Sequence, residues 1–294
     1  MTEAKIQELG STLRNDKLPM GPRFRALFAL RSLGGSLAVE EIGKAFGDPS
    51  ALLKHELAFC LGQMRDSAAI PILSRTLEDL EENPMVRHEA GEALGAIGDP
   101  VAEPLLRRFL QDTHPEVGET CELALQRIDW VQKASGEAVV SPYASVDPTP
   151  AAEAADVPEL EVQLLDAKAS LWDRYRAMFA LRNLASPPAV QALAKGLSCN
   201  SSALFRHEVA YVLGQIQSPD AVAALQASLA NSAENEMVRH EAAEALGAIG
   251  GAEVEAILAA YAKDQSRVVA ESVEVALDIS EAAGESFQPL ITVS

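Results

Sequence analysis

Little in this chain of 294 residues suits a strand, a membrane span or a disulfide framework. Aromatic residues make up only 5% of it, and strand-like alternation of Val, Ile and Thr is hard to find, which argues against a β architecture. No stretch approaches the roughly 20 apolar residues of a membrane span, and the opening MTEAKIQELG lacks the apolar region of a secretory signal. The three cysteines, Cys60, Cys121 and Cys199, are odd in number and share no metal-type spacing, so they read as packing residues in a reducing compartment. A soluble, cytoplasmic protein is expected. Positive charge is also scarce. With 24 Lys and Arg against 43 Asp and Glu, the formal charge of −19 repels phosphate backbones and argues against a nucleic-acid partner. The acidic surplus either draws in a cationic partner or only maintains solubility.

What is present is Ala, Leu and Glu in helical periodicity, arranged twice. RFRALFALRSL (23–33) matches RYRAMFALRNL (174–184), KHELAFCLGQM (54–64) matches RHEVAYVLGQI (206–216), and VRHEAGEALGAIG (86–98) matches VRHEAAEALGAIG (238–250). A weaker pair is ETCELALQRI (119–128) with ESVEVALDIS (271–280). Each half therefore holds about four units. Each unit reads as two helices, for example Ser67–Leu80 then Met85–Ile97, with Asn83 as cap, Pro84 at the first helical position and Gly98-Asp99-Pro100 as terminator. Such units bury their apolar faces only by stacking, so the sequence predicts an all-α fold, an α-solenoid of HEAT-like helix pairs in two symmetric arms. The arms are residues 1–130 and 158–294, and the Pro- and Ala-rich segment 131–157 is their linker.

Four of the five histidines are followed by glutamate: His55-Glu56, His88-Glu89, His207-Glu208 and His240-Glu241. The pairs lie 33 positions apart within a half and recur 152 positions later. At about 100° per residue, each histidine falls opposite its helix's apolar stripe, for His88 the side of Val86, Ala90, Ala93, Leu94 and Ile97. Small residues share the histidine face: Gly62, Gly95, Gly214 and Gly247 seven positions on, and Ala58, Gly91, Ala210 and Ala243 three positions on. We read them as leaving open space above the helix for a metal and a slender substrate. Neighbouring helices in a stack lie about 8–10 Å apart, which lets two histidines reach one ion. Two metals facing each other would require the arms to close.

A plainer reading assigns Arg87, Glu89, Glu92, Gly95 and Gly98 to the stacking frame of HEAT-like repeats, and for a single His-Glu pair that reading would win. Four pairs on matching faces reverse the balance. The outer units carry Phe24, Tyr175, Glu119 and Glu271 at the equivalent positions, never histidine. His114, before Pro115, reads as an ordinary surface residue, and Trp130 and Trp172 as packing residues. The LGxIG glycines fall inside and after a helix, not before one, so they are no phosphate loop. Nucleophile arrangements of Ser, Cys or Lys are absent, and metal chemistry is the catalytic option with support. Nitrogen and oxygen ligands leave iron, manganese or catalytic zinc.

ENPMVRHEA (82–90), ENEMVRHEA (234–242), SPYASVDPTP (141–150) and the four His-Glu pairs together resemble the deoxyhypusine hydroxylase family over nearly the whole chain. That resemblance implies a di-iron, O2-dependent monooxygenase acting on the deoxyhypusine side chain of translation initiation factor 5A, presented on a basic loop, with an electron donor of unspecified identity. It implies one iron on His55, His88 and Glu89 and another on His207, His240 and Glu241. Glu56 and Glu208 would then bind the substrate's ammonium groups or complete a metal shell. A non-catalytic HEAT scaffold and a HEAT-like chromophore lyase are the alternatives.

Overall fold

The computed structural model describes residues 2–133, 141–154 and 156–284. Among them every regular element is helical. They fall into two compact units, Met1–Pro148 and Thr149–Ser294.

The first unit comprises α1 (Glu3–Leu13), α2 (Met20–Leu33), α3 (Ser36–Gly43), α4 (Ala51–Met64), α5 (Ile70–Glu78), α6 (Pro84–Ile97), α7 (Glu103–Arg108) and α8 (Pro115–Lys133). The second repeats the series with α9 (Val157–Leu165), α10 (Leu171–Leu184), α11 (Pro187–Gly196), α12 (Ala203–Ile216), α13 (Val222–Ala230), α14 (Glu236–Ile249), α15 (Ala252–Ala259) and α16 (Arg267–Gly284). Even-numbered helices stack in sequence, α2 on α4 on α6 on α8 and α10 on α12 on α14 on α16, while odd-numbered helices cover their other side. Each unit is thus a short solenoid whose core lies between its two layers, built from Leu53, Leu57, Leu61, Val86 and Leu94 and, in the second unit, Leu204, Val209, Leu213, Val238 and Leu246.

Local chemistry sets the ends of the inner helices. Ser50 and Ser202 cap α4 and α12 by accepting from the backbone N–H of Leu53 and Phe205. Asn83 and Asn235 do the same for α6 and α14 through Met85 and Met237, and Pro84 opens α6. Gly98, at φ 76°, closes α6 in the left-handed region that a side chain disfavours. The first helix of that unit departs from expectation. Instead of one helix over Ser67–Leu80, a 3-10 turn at Ser67–Ala69 leads into the shorter α5, with Pro71 in its first turn, and Leu80 lies beyond it, exposed.

The segment 141–148 packs within the first unit. Val146 donates its N–H to Gln63 Oε1 at 2.8 Å, and Gln63 Nε2 donates back to the Val146 carbonyl at 3.3 Å. Ser145 donates to Asp147 at 2.6 Å.

Candidate metal centre

Each histidine of the four His-Glu pairs is preceded by a cation, and each cation is tied to an acid of the following repeat. Lys54 pairs with Glu82. Arg87 meets Asp112 at 2.6 Å, Arg206 meets Glu234 at 2.6 Å, and Arg239 meets Asp264 at 2.6 Å. In α6 and α14 the arginine also donates Nε to a carbonyl ten residues earlier, Leu77 at 3.1 Å and Leu229 at 2.9 Å. These contacts fix the rotation of the helix about its axis, so the next residue, a histidine, points to the opposite side. Sequence reading placed Arg87 in a stacking frame but missed the other three cations and all four partners, which lie 25 to 28 positions away.

In the first unit the rings of His55 and His88 lie 5.5 Å apart, and His55 Nε2 is 3.2 Å from Glu89 Oε2. In the second the rings of His207 and His240 lie 5.4 Å apart, and His207 Nε2 is 3.4 Å from Glu241 Oε2. Ligand atoms of His207, His240 and Glu241 all fall within 4.8 Å of one another, as do those of His88, Glu89 and Glu92. All eight residues of the four His-Glu pairs are buried. Each unit therefore gathers two imidazoles and one carboxylate, the donor set of a non-haem transition metal. Glu56 Oε1 sits 3.3 Å from His55 Nδ1. Glu208 is buried beside His207 in the chain.

The electrostatics of the cluster favour a cation. Burial works against a charged His55, but the carboxylates of Glu89 and Glu56 outweigh it and hold the imidazole well above the usual histidine range. Burial, with the adjacent Glu89, pushes Glu92 well above the usual carboxylate range. So many buried acids and imidazoles are stable together only with protons or a divalent ion among them. The residues present fit a metal.

One expectation is overturned. The glycines seven positions after the histidines leave no open floor above the helix. A Cβ on Gly62 would come within 2.8 Å of Ala93 Cα, on Gly95 within 2.8 Å of Ala124 Cα, on Gly214 within 3.0 Å of Ala245 Cα and on Gly247 within 2.7 Å of Ala276 Cα. They are the points where one inner helix seats against the next. Ala58, Ala210 and Ala243 are likewise fully covered. Close seating of the helices, made possible by these glycines, is what brings paired histidines within reach of each other.

Cys60 and Cys121 are buried, and burial pushes the Cys121 thiol up to about 12. Cys199 is different: it accepts from Arg174 Nη2 at 3.0 Å, where Asp48, Asp112 and Asp264 serve the corresponding arginines. His114 is exposed at the start of α8 and takes no part in the cluster. No described helix is long and apolar enough to cross a membrane.

A HEAT-repeat profile matches residues 39–126 and 158–234, and the PBS lyase HEAT-like repeat matches 238–264. Human deoxyhypusine hydroxylase is 56% identical over 289 residues, covering 98% of this chain and 95% of its own. The chain belongs to the deoxyhypusine hydroxylase family. The deoxyhypusine hydroxylase of Drosophila melanogaster is 53% identical over 282 residues, covering 96% of this chain and 93% of its own. A solved structure of human deoxyhypusine hydroxylase in complex with glycerol is similar at a TM-score of 0.93, covering 95% of this chain and 97% of that one. Membership of the deoxyhypusine hydroxylase family excludes the scaffold and the chromophore lyase as readings of the whole chain.

Proposed function

We propose that the chain hydroxylates the deoxyhypusine side chain of translation initiation factor 5A to hypusine, with two iron ions and O2 as co-substrate. The observation that supports this most is the duplicated set of two buried imidazoles and one carboxylate on a chain of this family. His55, His88 and Glu89 hold one iron, and His207, His240 and Glu241 hold the other. Iron, when bound, supplies the activation of O2 that insertion of oxygen into an unactivated C–H bond demands.

The chain's own residues do the rest. Deoxyhypusine is long, thin and cationic, with a secondary and a primary amine. Glu56 and Glu208 take its ammonium groups by charge-assisted hydrogen bonds and so set which carbon faces the oxidant. Burial of all eight residues keeps bulk water from competing. The arms 1–130 and 158–294, joined through 131–157, each contribute one ligand set, and the enzyme works in the cytoplasm with a separate electron donor.

The test is metal analysis together with turnover. Purified full-length chain should carry about two irons, one for each ligand set of this type, and convert the deoxyhypusine-bearing factor with consumption of O2. Undiminished turnover after chelation would sink the proposal. The Glu208→Gln variant should keep its iron and bind the substrate protein about tenfold more weakly or worse, as expected for loss of a charge-assisted contact. Loss of iron would make Glu208 a ligand instead.

A further inference from the structure

A second carboxylate stands on the histidine face of each inner helix that carries the sequence His-Glu-x-x-Glu: Glu92 four residues after His88, and Glu244 four residues after His240. Residues at this spacing lie one above the other on a helix. Glu244 Oε1 is 3.5 Å from His240 Nδ1, while the ring itself is fully buried. Glu92 lies within 4.8 Å of ligand atoms of His88 and Glu89. The first histidine of each unit lacks such a neighbour, since Phe59 and Tyr211 occupy the fourth position on. His55 turns Nδ1 to Glu56 instead, at 3.3 Å, and points Nε2 at Glu89.

We propose that Glu244 is a positioning residue, whose carboxylate accepts the Nδ1 proton of His240 and thereby presents Nε2 as the ligating atom, with Glu92 at the matching place after His88. The inference rests on the metal reading above and adds to it the control of imidazole tautomer and ring angle. A neutral imidazole has one donor and one acceptor nitrogen, and the partner of the first decides which nitrogen is the second. An outer carboxylate on Nδ1 fixes that choice, stops the ring from turning over, and raises the basicity of Nε2. In a HEAT frame alone, Glu92 and Glu244 would be solvated charges on a helix surface. Here both stand beside buried imidazoles.

Two variants in the full-length chain test this. Glu244→Gln keeps an acceptor oxygen, and Glu244→Met keeps length and helix preference but removes the acceptor. Nitrogen-15 spectra of the imidazoles in metal-free protein, at about pH 8 where an ordinary histidine is neutral, should show His240 protonated on Nδ1 in the parent and in the Gln variant. In the Met variant the population should shift toward protonation on Nε2. Titration with ferrous iron should show second-unit affinity lowered about 10- to 100-fold in the Met variant, the loss typical of an outer-shell partner, and largely rescued in the Gln variant. A parent His240 protonated on Nε2 would overturn the proposal without any variant having to fold. Unchanged iron affinity in the Met variant would also overturn it, and so would equal loss in both variants, which would make Glu244 a ligand. A parent chain that takes up no iron would instead defeat the metal reading, while the tautomer measurement would still judge Glu244.

Discussion

Two glycines one turn apart in α6 have opposite roles. A Cβ on Gly95 would press within 2.8 Å of the Ala124 backbone, which cannot swing aside as a side chain can. A Cβ on Gly91 would meet only Thr120 Cγ2 at 3.4 Å and Cys121 Sγ at 3.7 Å, ordinary contact distances. Gly95→Ala should therefore destabilise the protein by about 2 kcal/mol, the cost of overpacking partly offset by better helix propensity. Gly91→Ala should be neutral or stabilising by up to ~1 kcal/mol. The second unit already carries Ala243 at the matching position. Chemical denaturation of the two variants checks the contrast, and equal effects would contradict it. Helix-face arithmetic put the paired histidines on matching faces, and their rings do lie 5.5 and 5.4 Å apart within the two units, because side-chain direction within one helix follows from spacing alone. It misread the glycines because their role depends on a neighbouring helix about 30 residues away, which no single-helix projection contains.

Between helices, the recurring connection is an arginine that reaches back to a carbonyl ten residues earlier and forward to an aspartate 25 residues later. Arg239 lowers the Asp264 carboxyl below its usual range by hydrogen bonding, against the opposing effect of burial. At Asp112 burial is the larger single influence, yet the contact with Arg87 and the His114 backbone N–H bring the carboxyl down overall. A carboxylate depressed in the folded state contributes stability that is complete above its unfolded pKa of about 4 and is lost as pH falls through the folded value. Acid unfolding below about pH 4 should therefore include these two groups. Asp264→Asn should cost ~2 kcal/mol at neutral pH and flatten the dependence of stability on pH in that acid window. An unaltered slope in the variant would remove the pair from the account. The ends of α6 were legible from Asn83, Pro84 and Gly98, whereas the break before α5 was not, since Pro71 fits either a longer helix or a fresh first turn. Arg174 shows the limit of repeat logic in another way: its aspartate position is filled by Cys199, with Ser201 Oγ accepting from Nη1 at 3.1 Å. That thiol, read from sequence as a packing residue, is lowered below its usual range, burial being outweighed by hydrogen bonds from Ser201 and Arg174.

Across the whole chain, duplication and composition were readable at a glance, because both are properties of the sequence itself. The attachment of Val146 to Gln63 was not, since a Pro-rich segment discloses nothing of a partner 83 positions away. Net charge belongs to this scale as well. Each ion pair neutralises its own acid, so the formal −19 resides in acids that have no cation of their own to match them in number. A field of that sign draws in a cationic partner from beyond contact distance, and its reach contracts as salt is added, from a screening length of about 10 Å at 0.1 M to about 3 Å at 1 M. Association of the chain with its substrate protein should accordingly slow about tenfold or more over that range. Dissociation should change much less, since short contacts at a buried site are poorly screened. Stopped-flow measurement of both rates across a salt series separates the two effects. An association rate that stays flat would leave the acidic surplus with no task beyond keeping the protein in solution.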